Sequence, residues 1–413
     1  MSHKFSFLSA WRPAAALALL PVLSSCGGGY DCPDCNSGYP PVETSAGLVA
    51  GDFNGDGFTD VVQMSSVRNG LEPDPSNLKS YLSTAAGAFA APTLTFNGDD
   101  PLYLASADLN GDGLPDVVSA SVEDGVLAVF FNNSLTPGAL NTPLVLPAPG
   151  ASQLAIGDMN GDGSPDLIAA DFKVSMFLQS SPGTFADPIS LYPGGANWVA
   201  VGDLNGDGSP DVVVTDDTGV KVLLHTGVAA ATTFAAPVTV FTQTTNFNVA
   251  GWNLVAIADV NGDGLNDLVI TDPGPTGGAM PTVNVLLQDV ANHGQFLAAV
   301  SYPVAPASLA QSIVVRDLDG DTHADIVIGG TDAVSVLLQN PANAGAFLAA
   351  SNFTAEDANE IAVADLDGDG RLDIVIATGP TQPVVNGVTT AHPGVLLQSA
   401  VTPGTFAAPA DLP

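Results

Sequence analysis

The sequence predicts an all-β fold, a seven-bladed β-propeller of four-stranded blades with a metal-binding loop between the first two strands of each blade. Three observations carry that prediction. A nine-residue acidic motif, first seen as "DFNGDGFTD", occurs seven times; its copies lie 45 to 58 residues apart; and the residues between them form short apolar runs with no helical spacing. The copies begin at Asp52, Asp108, Asp158, Asp203, Asp259, Asp317 and Asp365, so the repeat covers nearly everything after residue 47.

The fourth unit shows the pattern. An apolar run, "WVAVGD", leads into the loop, and "DVVVTDD", "VKVLLH" and "TFAAPVTVF" follow. Each segment has strand length, is rich in Val, Leu, Ile or Phe, and is bounded by Gly, Pro, Asn or Asp. Inner runs such as "DLIAA" and "DIVIA" are apolar at successive positions rather than alternating, as expected of strands covered on both faces. Four strands, about fifty residues and seven units suit sheets stacked around an axis better than a sandwich or a linear solenoid. Ring closure requires the ends to meet, and residues 39–42 are expected to add to the edge of the last blade.

The loop itself has a fixed grammar. Its first, fifth and ninth positions are always Asp, its third is Asn in five copies and Asp in two, and its sixth is Gly in all but one. Alternate oxygens at positions one, three and five, a carbonyl at seven and a sharp turn at a sixth-position Gly are the logic of a calcium loop, with the ninth-position Asp closing it. The expected ligands are Asp52, Asn54, Asp56 and Asp60; Asp108, Asn110, Asp112 and Asp116; Asp158, Asn160, Asp162 and Asp166; and Asp203, Asn205, Asp207 and Asp211. The remaining three sets are Asp259, Asn261, Asp263 and Asp267; Asp317, Asp319, Asp321 and Asp325; and Asp365, Asp367, Asp369 and Asp373. A single such loop could be an acidic turn held by side-chain hydrogen bonds; seven copies with the same oxygens argue for metal. Oxygen-only donors select Ca²⁺ over zinc or copper, and Mg²⁺ demands a tighter octahedron.

Up to seven structural Ca²⁺ ions are therefore expected. Two carboxylates about 4 Å apart repel by roughly 4 kcal/mol at an effective dielectric near 20, so metal-free loops should splay. Sites each at about ten times their dissociation constant would together contribute on the order of 10 kcal/mol. The copy "DLDGDTHAD" departs from the pattern, because Thr322 replaces the sixth-position Gly and a β-branched residue is costly at positive φ. That loop is expected either to turn differently or to bind more weakly.

A second element, "GAFAAP", "GTFADP", "TFAAP" or "GTFAAP", recurs in most units. With it the chain resembles the FG-GAP/VCBS repeat family, whose blades also form the head of integrin α-subunits. The resemblance runs over about residues 47–413 and implies the propeller fold. It implies function only broadly, since family members include adhesion proteins, sugar-binding proteins and domains attached to enzymes.

Composition narrows the partners. The chain has 43 acidic and 8 basic residues, a formal net charge of −35, so it repels nucleic acid, anionic lipid surfaces and acidic polysaccharides and attracts cations. Residues 1–25 read as a signal peptide, with Lys4 and Arg12 before the apolar run "AAALALLPVL", which is too short to span a bilayer. "LSSC", ending at Cys26, resembles the lipobox of bacterial lipoproteins; lipidation of Cys26 would anchor the chain at the bacterial envelope, and an ordinary secretory signal is the alternative. Residues 26–46 form a Gly/Pro-rich tether in which Cys32 and Cys35 make a local disulfide, because "CPDC" lacks both the strand-to-helix context of a redox site and further zinc ligands.

Catalysis finds little support. The histidines after the leader, His225, His293, His323 and His392, have no paired ligand spacing, no "GxSxG" elbow occurs, and 23 of the 43 acids already lie in the loops. The long segments "SSVRNGLEPDPSNLKS", "TDPGPTGGAMPT" and "TGPTQPVVNGVTTAHPG", with "FNGDD", "TTNFNVAGW", Trp198 and Trp252, are expected on the face opposite the calcium loops, where a rigid scaffold would present recognition loops; the alternative places the tryptophans in the core. The sequence thus points to an extracellular binding or adhesion module, not an enzyme, with a protein or neutral glycan as partner. A glycan-active hydrolase or lyase on that opposite face is the alternative, and a structural assembly subunit is another.

Overall fold

A computed structural model of the chain describes residues 42–68, 75–85, 87–99, 101–122, 124–170, 172–227, 232–242, 253–273, 281–304, 310–355, 358–377 and 393–412. Among these residues there is no helix, and the strands form seven four-stranded antiparallel sheets and two short two-stranded ones. Blade one comprises Val42–Gly51, Asp60–Arg68, Pro75–Tyr81 and Thr93–Asp99. Blade two comprises Pro101–Ala107, Asp116–Ser121, Val126–Phe130 and Leu144–Pro147. Blade three comprises Gln153–Gly157, Asp166–Ala170, Val174–Phe177 and Ile189–Tyr192. Blade four comprises Trp198–Gly202, Asp211–Asp216, Gly219–Leu223 and Val238–Thr242. Blade five comprises Val255–Ala258, Asp267–Asp272, Thr282–Leu286 and Val300–Pro303. Blade six comprises Ala310–Arg316, Asp325–Gly330, Ala333–Leu337 and Ser351–Thr354. Blade seven comprises Glu360–Ala364, Asp373–Ala377, Pro393–Leu396 and Ala410–Asp411.

The first strands pack on one another in an unbroken ring, blade one on two and so on until blade seven returns to blade one. They are therefore innermost. Second and third strands are covered by the neighbouring blades, which is why "DLIAA" and "DIVIA" are buried at every position while fourth strands are partly exposed. Apolar clusters run between blades, as where Trp198, Leu204 and Val213 join residues of blades five and six. Blades six and seven approach so closely at Gly329 that an added Cβ would lie 2.5 Å from the Ala358 carbonyl oxygen, so only glycine fits there.

The structure corrects several expectations. Val42 does not extend the last blade; it pairs with Arg68 in blade one, and blade seven takes its fourth strand, Ala410–Asp411, from the chain's own end. The first strand thus begins inside the segment assigned to the tether. "FNGDD" is mostly strand rather than loop, since Phe96 pairs with Asn77. Much of "SSVRNGLEPDPSNLKS" is also strand, with Ser65 opposite Asn77, because blade one lengthens its second and third strands together. Trp198 is buried, as the core reading required. Cys26, Cys32, Cys35, Trp252, His392 and residues 39–41 lie outside the described residues, as do "TTNFNVAGW" and most of "TDPGPTGGAMPT" and "TGPTQPVVNGVTTAHPG".

Candidate metal centre

Each acidic loop closes a hairpin of identical register. The residue before the loop stands opposite the ninth-position Asp in every blade, from Gly51 with Asp60 to Ala364 with Asp373. That ninth carboxylate is almost wholly buried. Its Oδ2 accepts from the second-position N–H at 2.8 to 3.0 Å in all seven loops. Its Oδ1 accepts from the N–H of the residue two places after the end of the third strand, Ser83, Asn132, Gln179, His225, Gln288, Gln339 or Gln398, at 2.6 to 2.8 Å. A buried carboxylate that satisfies two otherwise unpaired backbone donors is a structural fixture before any metal arrives.

The rest of the loop wraps around the first-position Asp. Its Oδ2 accepts from the sixth-position N–H at 2.7 to 2.9 Å, and the fifth-position Oδ1 accepts from the seventh-position N–H at 2.8 to 3.0 Å. The sixth residue must adopt positive φ for this, 84° to 87° where it is glycine. Thr322 adopts the same turn at 75°, the single non-glycine among the described residues with positive φ. Of the two outcomes expected for this loop, a different turn is therefore excluded: backbone strain is accepted instead.

Burial pushes the ninth-position carboxyls of Asp60, Asp116, Asp211, Asp267 and Asp325 up to about 6, with backbone donors opposing and neighbouring loop carboxylates adding to the rise. Asp166 and Asp373 shift the same way for the same reason. Such a site gains from a cation. Where the third position is also Asp, the carboxylate oxygens of Asp317, Asp319 and Asp325, and those of Asp365, Asp367 and Asp373, lie within 4.8 Å of one another. The fifth-position Asp321 and Asp369 stand outside these groups; Asp321 Oδ1 lies 3.1 Å from His323 Nδ1, and Asp369 pairs with Arg371. In these two loops the donors are carboxylate oxygens, a hard set that fits Ca²⁺, with the first, third and ninth positions as the residues that would hold it.

Sequence reasoning missed the residue after the third strand. In blades two, six and seven its side-chain amide ties the loop to the preceding blade: Asn132 Nδ2 donates to Phe53 O at 2.7 Å and Gln398 Nε2 to Leu318 O at 2.6 Å, and Gln339 reaches Val260 O in the same way. The amide also bonds the eighth-position carbonyl of its own loop, as Gln179 does at Pro165 O and Gln288 at Asn266 O, both 2.8 Å. Its oxygen takes the N–H of the glycine in the "GxF" element, Gly183 or Gly294, or of Gly138 in the corresponding "GAL" of blade two. The recurring "LLQ" was the available signal. Blade four replaces the amide with His225, both of whose ring nitrogens are buried without a partner.

The family described as FG-GAP-like repeat matches residues 108–169, 158–214, 203–270, 259–328 and 317–376, each match running from one loop past the next. Among solved structures, an Agrocybe aegerita lectin described as recognising non-reducing terminal N-acetylglucosamine aligns at 21% identity and TM-score 0.52, over 76% of this chain and 80% of its own. A Lactobacillus plantarum protein aligns at 12% identity and TM-score 0.50, over 89% and 95%. The biofilm matrix protein Bap1 of V. cholerae aligns at 13% identity and TM-score 0.45, over 90% and 89%. No curated protein matches significantly. Because the matched repeats span well over half of the chain, and the unmatched first loop has the same hydrogen bonds, this chain belongs to the FG-GAP-like repeat family.

Proposed function

We propose that this chain is an extracellular binding module, a propeller stabilised by calcium in its seven loops, held at the bacterial envelope through lipid on Cys26, and directed at a neutral glycan or a surface protein. The observation that carries the calcium reading is the sevenfold identity of the loop, its buried ninth carboxylate raised toward neutrality without a cation. The charge of −35 disfavours anionic ligands. A lectin with the same fold supports a sugar as one class of ligand, at the level of fold alone.

The test is a glycan and host-protein array probed with the propeller, with calcium and with chelator. Calcium-dependent binding to a defined sugar or protein supports the proposal. Silence from protein whose thermal transition shows it folded would overturn the binding role and favour catalysis or assembly. A melting transition unmoved by chelator would overturn the calcium reading.

A further inference from the structure

The residue five places before each loop holds the same place in every blade, in the innermost strand or, for Leu254, immediately before it. Two residues further on, that strand carries only Ala or Val in all seven blades. At the earlier position the repeat breaks down, and five blades carry Tyr103, Gln153, Trp198, Ser312 and Glu360. Four of these side chains make contacts from blade to blade on the innermost strands, toward the face opposite the calcium loops. Tyr103 of blade two and Trp198 of blade four lie edge to face with centroids 5.7 Å apart, across the intervening blade. Trp198 is fixed by its Nε1 donating to Val255 O at 3.0 Å. Ser312 Oγ of blade six donates to Glu360 Oε1 of blade seven at 3.1 Å and accepts from Ile361 N.

Glu360 is 9% exposed, and among the described residues no cation is paired with it: burial and the Ser312 hydroxyl are the influences on its ionisation. Burial raises it to about 8, and Tyr103 senses its charge. A buried carboxyl with no cation beside it keeps its proton near neutrality, and in a chain that attracts cations a cation seated there would take the proton's place.

We propose that this axial cluster binds an alkylammonium group, with Glu360 as its counter-ion and Tyr103 as the aromatic ring beside it. One carboxylate with two aromatic rings is a poor donor set for a hard metal ion, which needs several oxygens. A guanidinium fork uses both carboxylate oxygens, and here Oε1 is already engaged by Ser312. An ammonium needs one oxygen, and it gains from an adjoining aromatic face. The site is independent of the calcium loops and of the glycan reading.

The experiment is calorimetric titration of the full propeller, in saturating calcium, with n-butylammonium chloride and separately with 1-butanol. Wild-type protein should bind butylammonium and ignore butanol, and Glu360→Gln should weaken butylammonium binding at least tenfold. Equal binding by Glu360→Gln would show that the amine merely coats the acidic surface and would overturn the proposal, as would equal binding of butanol or no binding by wild type. If Glu360→Gln does not fold, Tyr103→Leu supplies the second variant: it should weaken butylammonium binding severalfold with the acid intact, and unchanged affinity would overturn the proposal.

Discussion

His225→Gln should stabilise the protein. In blades three, five, six and seven the equivalent position is a glutamine whose amide bonds backbone carbonyls, with Gln398 reaching Leu318 O at 2.6 Å and Leu372 O at 2.9 Å. His225 is 3% exposed, and neither ring nitrogen has a partner. A buried polar group left unpaired costs about 1–3 kcal/mol, so restoring an amide latch between Pro210 O and Met159 O should recover at least one such term. Against this stands the edge-to-face contact of His225 with Phe234, centroids 5.2 Å apart, worth about 0.5–1.5 kcal/mol. The net expectation is about 1 kcal/mol of added stability, an upward shift in Tm of roughly 1–3 °C for a domain this large. Differential scanning calorimetry in saturating calcium reads it, and His225→Ala, which opens a cavity and restores nothing, should move Tm down. A Tm for His225→Gln at or below that of the native protein would refute the latch as an energetic device.

Thr322→Gly removes a β-branched residue from φ 75° and should stabilise the metal-free protein by about 1 kcal/mol while tightening one calcium site, measurable by melting and by calcium titration. Acid should weaken calcium binding. Because the ninth-position carboxyls of five loops sit at about 6 in the metal-free fold against 3.8 ordinarily, protons compete with the cation below that pH, and calcium affinity at pH 5 should fall short of that at pH 7.5. The same raised values mean that the metal-free fold loses stability as pH rises from about 4 to 6, so the loss of Tm on chelation should shrink in acid. Glu360, raised from 4.5 to about 8, opposes folding increasingly over that interval, by about 3 kcal/mol at pH 7. Glu360→Gln should therefore raise Tm at pH 8 and leave it nearly unchanged at pH 4.5; equal shifts at both would contradict the burial of a neutral acid.

The sequence by itself determined the repeat, the strand content, the buried inner strands and the composition of each loop. All of these are local, because positive-φ turns, side-chain to backbone bonds and apolar runs act within about ten residues. It also showed Thr322 as the anomalous turn residue, though only the structure showed that the turn is kept. The tertiary structure decided what lies between blades. Gln339 and Gln398 bond carbonyls about eighty residues earlier, so "LLQ" reads as the end of a strand until neighbouring blades are in place. Val42 pairs within its own blade, and "FNGDD" is absorbed into a fourth strand, because pairing register depends on the partner strand. The axial cluster was hidden for the same reason: Tyr103, Trp198, Ser312 and Glu360 are scattered over more than 250 positions, and only ring closure brings four blades to one axis.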